Sequence, residues 1–243
     1  MNKTTVALAS ALVFSVSICI GQKNPIITNM YTADPSAHVW ADGRLYIYAS
    51  HDIDPPRGCD LMDQYHVFST DDMIHWKDHG EILRASQVPW GRKEGGFMWA
   101  PDRAYKKGVY YFYFPHPSEI DGEMKPMEGL QDFHEASCMH KRNGIYYLSY
   151  SDNHDSAGKH NQMRYATSKN PLGPWVYKGI YMEPTDSYTD HGSIVEYKGQ
   201  WYFFYHTSAI SHQDWLRYVC VDKLFFNEDG SIRKVVRTTG GIF

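Results

Sequence analysis

ADGRLYIYAS (residues 41–50), KKGVYYFYF (106–114), RNGIYYLSYS (142–151) and YKGQWYFFYH (197–206) are four variants of one segment. Each places a turn glycine (Gly43, Gly108, Gly144, Gly199) ahead of an aromatic run, and three residues past each glycine stands a tyrosine: Tyr46, Tyr111, Tyr147 and Tyr202. DG, NG and KG turns between extended aromatic or β-branched runs signal β-hairpins. A second pattern follows in two of the units. In FSTDDMIHW (68–76) and ATSKNPLGPW (166–175) a serine and a tryptophan stand seven residues apart, which predicts a second hairpin closing on Trp76 or Trp175. Two hairpins per unit make a four-stranded antiparallel sheet, and tandem sheets of this kind predict an all-β chain folded as a β-propeller. A β-sandwich is the alternative, but its strands need not repeat one glycine–tyrosine offset.

The composition agrees with this architecture. The 243 residues include 19 Tyr, 11 Phe and 7 Trp, a load suited to packing between sheets and to stacking on flat ligands or sugar rings. With 24 Lys and Arg against 28 Asp and Glu the formal net charge is −4 and there is no basic block, so nucleic acid is not an expected partner. Lys3 followed by the apolar run from Val6 to Ile20, then the small Gly21, reads as a signal peptide over residues 1–21. This leaves a domain over 22–243 and predicts a secreted or periplasmic location. Ile18 is bulky where a lipoprotein signal at Cys19 wants a small residue, and the run is too short for a transmembrane span. Cys59, Cys138 and Cys220 follow, an odd number, so at least one thiol is unpaired. No CxxC or HExxH spacing supports zinc.

In a propeller the first strand of every unit lines the central axis, so equivalent positions at the strand starts face one cavity. Nine residues before the four turn glycines stand Asp34, Trp99, Glu135 and Asp190, the last beside His191. Two carboxylates across an aromatic cavity suit glycoside hydrolysis, one acid protonating the leaving oxygen and one carboxylate activating water. The alternative is that Asp34 caps a turn in ADPS and Glu135 is a solvated strand end.

At these residues the chain resembles glycoside hydrolase family 43, through TADPSAHVWADGRLYIYAS, MWAPDRAYKKGVYYFYF, FHEASCMHKRNGIYYLSYSD and DHGSIVEYKGQWYFFYH, together most of residues 24–235. The resemblance implies a secreted five-bladed propeller that cuts arabinofuranosides and β-xylosides of plant cell-wall polysaccharide or oligosaccharide with inversion. It implies Asp34 as general base and Glu135 as general acid. It places Trp99 in the WAPD segment opening the second blade, with Trp99, His191 and Arg217 facing substrate. No cofactor is required on this reading. A structural calcium ion is the one metal it suggests, with His191 supporting it through water, because imidazole is a poor direct ligand for Ca²⁺. For Arg217 an ordinary surface arginine with a buried stem is the competing reading.

The family pattern also implies a third acid, an aspartate opening the third blade, which keeps the general acid protonated. It is absent from the sequence. From turn glycine to closing tryptophan takes 33 residues in Gly43–Trp76 and 31 in Gly144–Trp175, yet Glu135 arrives 27 residues after Gly108. The end of blade two and most of blade three are therefore expected to be missing, and neither Asp121 nor Asp132 opens an inner strand. A non-catalytic sugar-binding propeller is the alternative function. The remaining histidines, among them His134, His140 and His206, share no ligand spacing and read as turn or surface residues, with His134 bordering the cavity. Cys59 reads as a loop residue, and Trp90 and Trp215 as stacking or packing aromatics.

Overall fold

The computed structural model describes residues 23–55, 58–92, 95–115, 127–152, 161–240 and 242. The leader-like residues 1–21 and Asp121 lie outside these, as does the side chain of Cys59. The described chain is all-β. The first sheet has the order β1 (Thr32–Val39), β2 (Leu45–His51), β3 (Gln64–Thr70), β4 (Lys77–Arg84). The second holds only β5 (Asp102–Lys106) and β6 (Val109–Tyr113). The third has four strands, β7 (Glu135–Arg142), β8 (Ile145–Asp152), β9 (Gln162–Ser168) and β10 (Val176–Met182). The fourth has β11 (Gly192–Tyr197), β12 (Gln200–Thr207) and β13 (Tyr218–Leu224), and residues 24–32 run along the outside of β13, where the Ile26 and Thr32 N–H groups donate to the carbonyls of Val219 and Arg217. All pairings are antiparallel.

The repeated glycines do what the sequence requires of them. Lys107–Gly108, Asn143–Gly144 and Lys198–Gly199 are two-residue turns with both residues at positive φ, the type I′ geometry whose twist matches that of the strands. The first hairpin differs. Its turn runs over residues 41–43, closed by the Gly43 N–H on the Trp40 carbonyl at 2.9 Å. That extra residue moves every upstream position of the first unit by one. A bulge follows Ala33 in β1 and Glu135 in β7, and Asp34 (φ 51°) matches Ala136 (φ 63°) rather than Glu135. Counting back from the turns makes Asp34, Ala100, Ala136 and His191 one ring of equivalent positions, with Trp99, Glu135 and Asp190 one residue before it.

Three apolar clusters weld the sheets in sequence around the axis. Leu45, Ile47 and Phe68 pack on Phe204, Val219 and Val221, joining the first sheet to the fourth. Tyr147, Met163 and Tyr181 pack on Phe203 and Tyr205, joining the third to the fourth. Tyr65 and Met98 pack on Phe112 and Phe114, joining the first to the second. Between the second and third sheets no such shared cluster occurs among the described residues. The apolar face of the third sheet at Leu148, Tyr150 and Trp175 is covered instead by Leu130 from the connecting segment. The molecule is thus a propeller of the five-bladed type lacking the end of blade two and most of blade three, and among the described residues no apolar cluster closes the ring on that side.

His140 is a correction to the sequence reading. Its ring stacks on Tyr147 at 4.9 Å and lies 5.0 Å from Trp201, and neither ring nitrogen has a hydrogen-bond partner among the described residues. Burial, with Arg142 nearby, pushes its pKa down to about 3. Above pH 6.5 the ring is neutral whether folded or unfolded. Below it the unfolded chain takes a proton that the folded chain refuses, so stability falls as pH drops from 6.5 towards 3. The gain in unfolding free energy from His140→Phe should therefore grow by about 1–2 kcal/mol between pH 7 and pH 5. Urea titrations at both values check this, and a pH-independent difference would contradict the placement.

Candidate active site

One cavity of about 260 Å³ is lined by Asp34, Trp99, Glu135, Thr189, His191, Trp215 and Arg217. All five site residues expected from the sequence are in it. Asp34 arrives on the β1 bulge, whose left-handed turn points its backbone and side chain at different neighbours. Its N–H donates to His206 Nδ1 at 3.0 Å. Its carboxylate accepts the Ala100 N–H and the Ser50 hydroxyl, each at 3.1 Å on Oδ2. On Oδ1 it faces His191 Nδ1 at 3.4 Å and Arg217 Nη1 at 3.7 Å. Burial opposes ionisation here, but the positive charge of Arg217 and the His191 contact outweigh it and hold the Asp34 pKa well below the usual carboxylate range. Asp34 is therefore a carboxylate at any working pH.

Two supports of Asp34 were not legible as such. His206, read from sequence as a turn or surface residue, is fully buried. Its Nδ1 accepts the Asp34 N–H, so its proton sits on Nε2, which donates to the Thr189 carbonyl at 2.8 Å. Burial and the nearby Arg217 lower its pKa to about 3, so the 3.5 Å approach of Nδ1 to Asp34 Oδ1 joins a neutral ring to the carboxylate. The signal was in the repeat: His206 stands seven residues past Gly199, where Ser50 stands seven past Gly43 and Ser151 seven past Gly144. Asp52, two residues beyond Ser50, carried no motif. It grips Arg217 from both sides, Nε to Oδ2 at 2.9 Å and Nη2 to Oδ1 at 2.8 Å, and also accepts the Arg217 N–H. Arg217 is 2% exposed, which overturns the surface reading.

Glu135 differs from Asp34. It opens β7 with its side chain half in solvent, and Oε1 lies 3.9 Å from His134 Nε2. Asp132, three residues upstream, is committed to Arg164 at 3.0 Å. Asp190 is absent from the cavity: it is buried, accepts the Thr185 N–H at 2.9 Å, and burial raises its pKa to about 7. It lies one residue before His191, ahead of the first residue of β11. Trp215 closes the wall as an aromatic, 5.7 Å from Tyr188 and with the Arg217 guanidinium 5.6 Å from its ring. Trp90 stacks on Phe114 outside the cavity. Cys138 and Cys220 are free thiols.

A second, polar cavity of about 210 Å³ continues down the axis between Asp34, Asp102, His191 and Ser193. Its oxygens fit a calcium ion poorly. Asp102 accepts Ser36 at 2.8 Å and faces His38 at 3.0 Å, while Ser193 is bonded to Pro35 and Ala37. Among the described residues no three His, Cys, Asp or Glu side chains converge as a metal group.

A propeller axis with an ionised carboxylate, a solvent-open glutamic acid and two tryptophans around one sugar-sized cavity defines a glycoside hydrolase. The comparisons give the family: the model for glycosyl hydrolases family 43 matches residues 22–131 and again 122–232, and the chain belongs to that family. The two matches meet in the segment joining the second and third sheets. A xylosidase/arabinosidase of Bacteroides ovatus is 28% identical over 323 aligned positions, covering 87% of this chain and 97% of the relative. Xylosidase/arabinosidase 43A of Humicola insolens is 29% identical, covering 86% and 98%. These alignments are longer than the chain itself, so the relatives hold a long stretch with no counterpart here. The crystal structure of a family 43 β-xylosidase/α-arabinofuranosidase from a compost microbial metagenome, a calcium-free form in complex with xylotriose, is 30% identical with a TM-score of 0.75, covering 88% of this chain and 98% of that one. A family 43 enzyme from Xanthomonas citri complexed with xylose is 28% identical with a TM-score of 0.74, covering 89% and 93%. These relatives are named as hydrolases, and none favours a non-catalytic sugar binder.

Replacing Asp52 by Ala leaves a buried guanidinium with its main counter-charge gone, which should cost about 3–5 kcal/mol. Urea denaturation checks this; a loss below about 1 kcal/mol would show that Asp34 and Thr189 hold Arg217 unaided.

Proposed function

We propose that the chain hydrolyses β-xylosidic or α-arabinofuranosidic bonds in xylan-derived polysaccharide or oligosaccharide, with Asp34 as general base and Glu135 as general acid. The observation that carries this is the pairing of two carboxyl groups of opposite environment in one cavity, one buried and ionised, the other open to water. Asp34 takes a proton from the water that attacks the anomeric carbon. Glu135 donates a proton to the departing glycosidic oxygen, so the bond breaks with inversion. Arg217 and His191 keep Asp34 charged, and the same contacts lower its basicity, so its contribution rests on position more than on proton affinity. Trp99 and Trp215 offer flat faces to a sugar ring. The xylosidase and arabinosidase names of the relatives support the pentose substrates.

Glu135 is the weak point of this machinery. Among the described residues no carboxylate is paired with it, and the segment where the family pattern implies a third acid is missing. Turnover is therefore expected to be slow. Release of xylose from xylobiose and of arabinose from arabinose-bearing xylo-oligosaccharide by the purified chain, substrates whose leaving alcohols need a proton, should fall by about 10²–10⁴-fold in both Asp34→Asn and Glu135→Gln. Asp190→Asn, outside the cavity, should retain the parent rate. Release that survives Glu135→Gln, or no release from a chain whose circular dichroism shows it folded, would overturn the assignment.

A further inference from the structure

We propose that β6 is the seam of a two-fold dimer, in which two copies pair their β6 strands antiparallel and complete one four-stranded sheet, β5–β6–β6–β5. The other outer edges of this molecule are guarded. β4 reads KDHGEILR and carries register shifts against β3; β10 is bulged twice and holds Lys178; β13 is lined by residues 24–32. Charges, bulges and covering segments are the devices that keep a sheet edge from pairing with another chain. β6 reads VYYFY, with no charge and no bulge, and its outer edge has no partner among the described residues.

The register follows from the hairpin. A two-residue turn is closed by a hydrogen-bonded pair, here Lys106 with Val109, so Val109, Tyr111 and Tyr113 spend their backbone groups on β5. Tyr110 and Phe112 then point theirs outward. With a two-fold axis through Tyr111, Tyr110 of each copy faces Phe112 of the other and both pairs exchange N–H and C=O bonds. Tyr111 meets its own copy in a close, non-hydrogen-bonded pair, and Val109 meets Tyr113. No like charges are opposed anywhere on this seam. Val109, Tyr110, Tyr111 and Tyr113 are 43–58% exposed. Together they offer roughly 400 Å² per copy, or about 800 Å² for the pair, short of the roughly 1,000 Å² of a stable interface, so the dimer should be weak and concentration-dependent.

Sedimentation velocity on the purified chain from about 1 to 200 µM should show a monomer passing to a dimer and stopping there. Tyr111→Lys places two ammonium groups on the axis and should leave a monomer, whereas Val176→Lys, an equally exposed site on β10, should not. Tyr111→Cys under mild oxidation with copper–phenanthroline should give a disulfide-linked dimer in excess of the parent's own thiols. Val109→Cys, facing Tyr113 instead of itself, should not. A parent that stays monomeric at 200 µM, a dimer indifferent to Tyr111→Lys, open-ended polymers, or a monomer whose Tyr111 is shielded by xylohexaose would each overturn the proposal, the last by making the face a sugar platform.

Discussion

The guanidinium of Arg217 is the tie on which this open ring depends. It enters from the start of the outermost strand of the fourth sheet and is clamped by Asp52 at the end of β2, with Asp34 on β1 beyond it. One buried cation thus binds the first sheet to the last and fixes the charge state of the carboxylate that lines the cavity. A buried ion pair of this kind adds little net stability compared with apolar packing, but breaking it is costly. Here its yield is placement: Asp34 sits on a left-handed bulge residue, a conformation that persists only where the surroundings determine it. Ser50, Ala100, His191, His206 and Arg217 supply those surroundings from three sheets.

The opposite side of the ring has no such tie. The second sheet is held to the first through Tyr65, Phe112 and Phe114 and through Arg103, whose guanidinium lies 3.3 Å from the Tyr48 ring centroid and donates to the Ser36 carbonyl at 3.1 Å. Among the described residues no comparable cluster joins it to the third sheet. Asp34, on the closed side, is enclosed and charged, whereas Glu135, on the open side, is half in solvent. The asymmetry of the two carboxyl groups is the asymmetry of the fold.

Much of this was legible in the sequence because the repeat is long-range and redundant. Four glycine–aromatic segments give the four hairpins, and the shortfall between Gly108 and Glu135 gives the missing strands. Asp34, Trp99, Glu135 and His191 followed from the same repeat, and Arg217 from the family resemblance. Where the reading slipped, the reasons are local. One additional turn residue before Gly43 shifts Asp34 out of line with Glu135, and Asp190 is taken up by the Thr185 N–H outside the cavity while His191 lines it. His140 and His206 looked like surface histidines because burial of an imidazole depends on partners from other sheets. Asp52 lies outside any repeat, and its pairing with Arg217 spans 165 residues. The family resemblance added the chemistry that the geometry alone leaves open.

Proton NMR of the first sugar released from xylobiose by the purified chain tests the central claim most directly. Two carboxyl groups acting on opposite faces of the sugar, one on water and one on the leaving oxygen, predict that α-xylose appears first and only later mutarotates to the equilibrium mixture. Appearance of β-xylose first would mean that a carboxylate attacks the sugar itself, and no release by folded protein from xylobiose or from an arabinofuranosyl oligosaccharide would mean that Asp34 and Glu135 do not form a working pair.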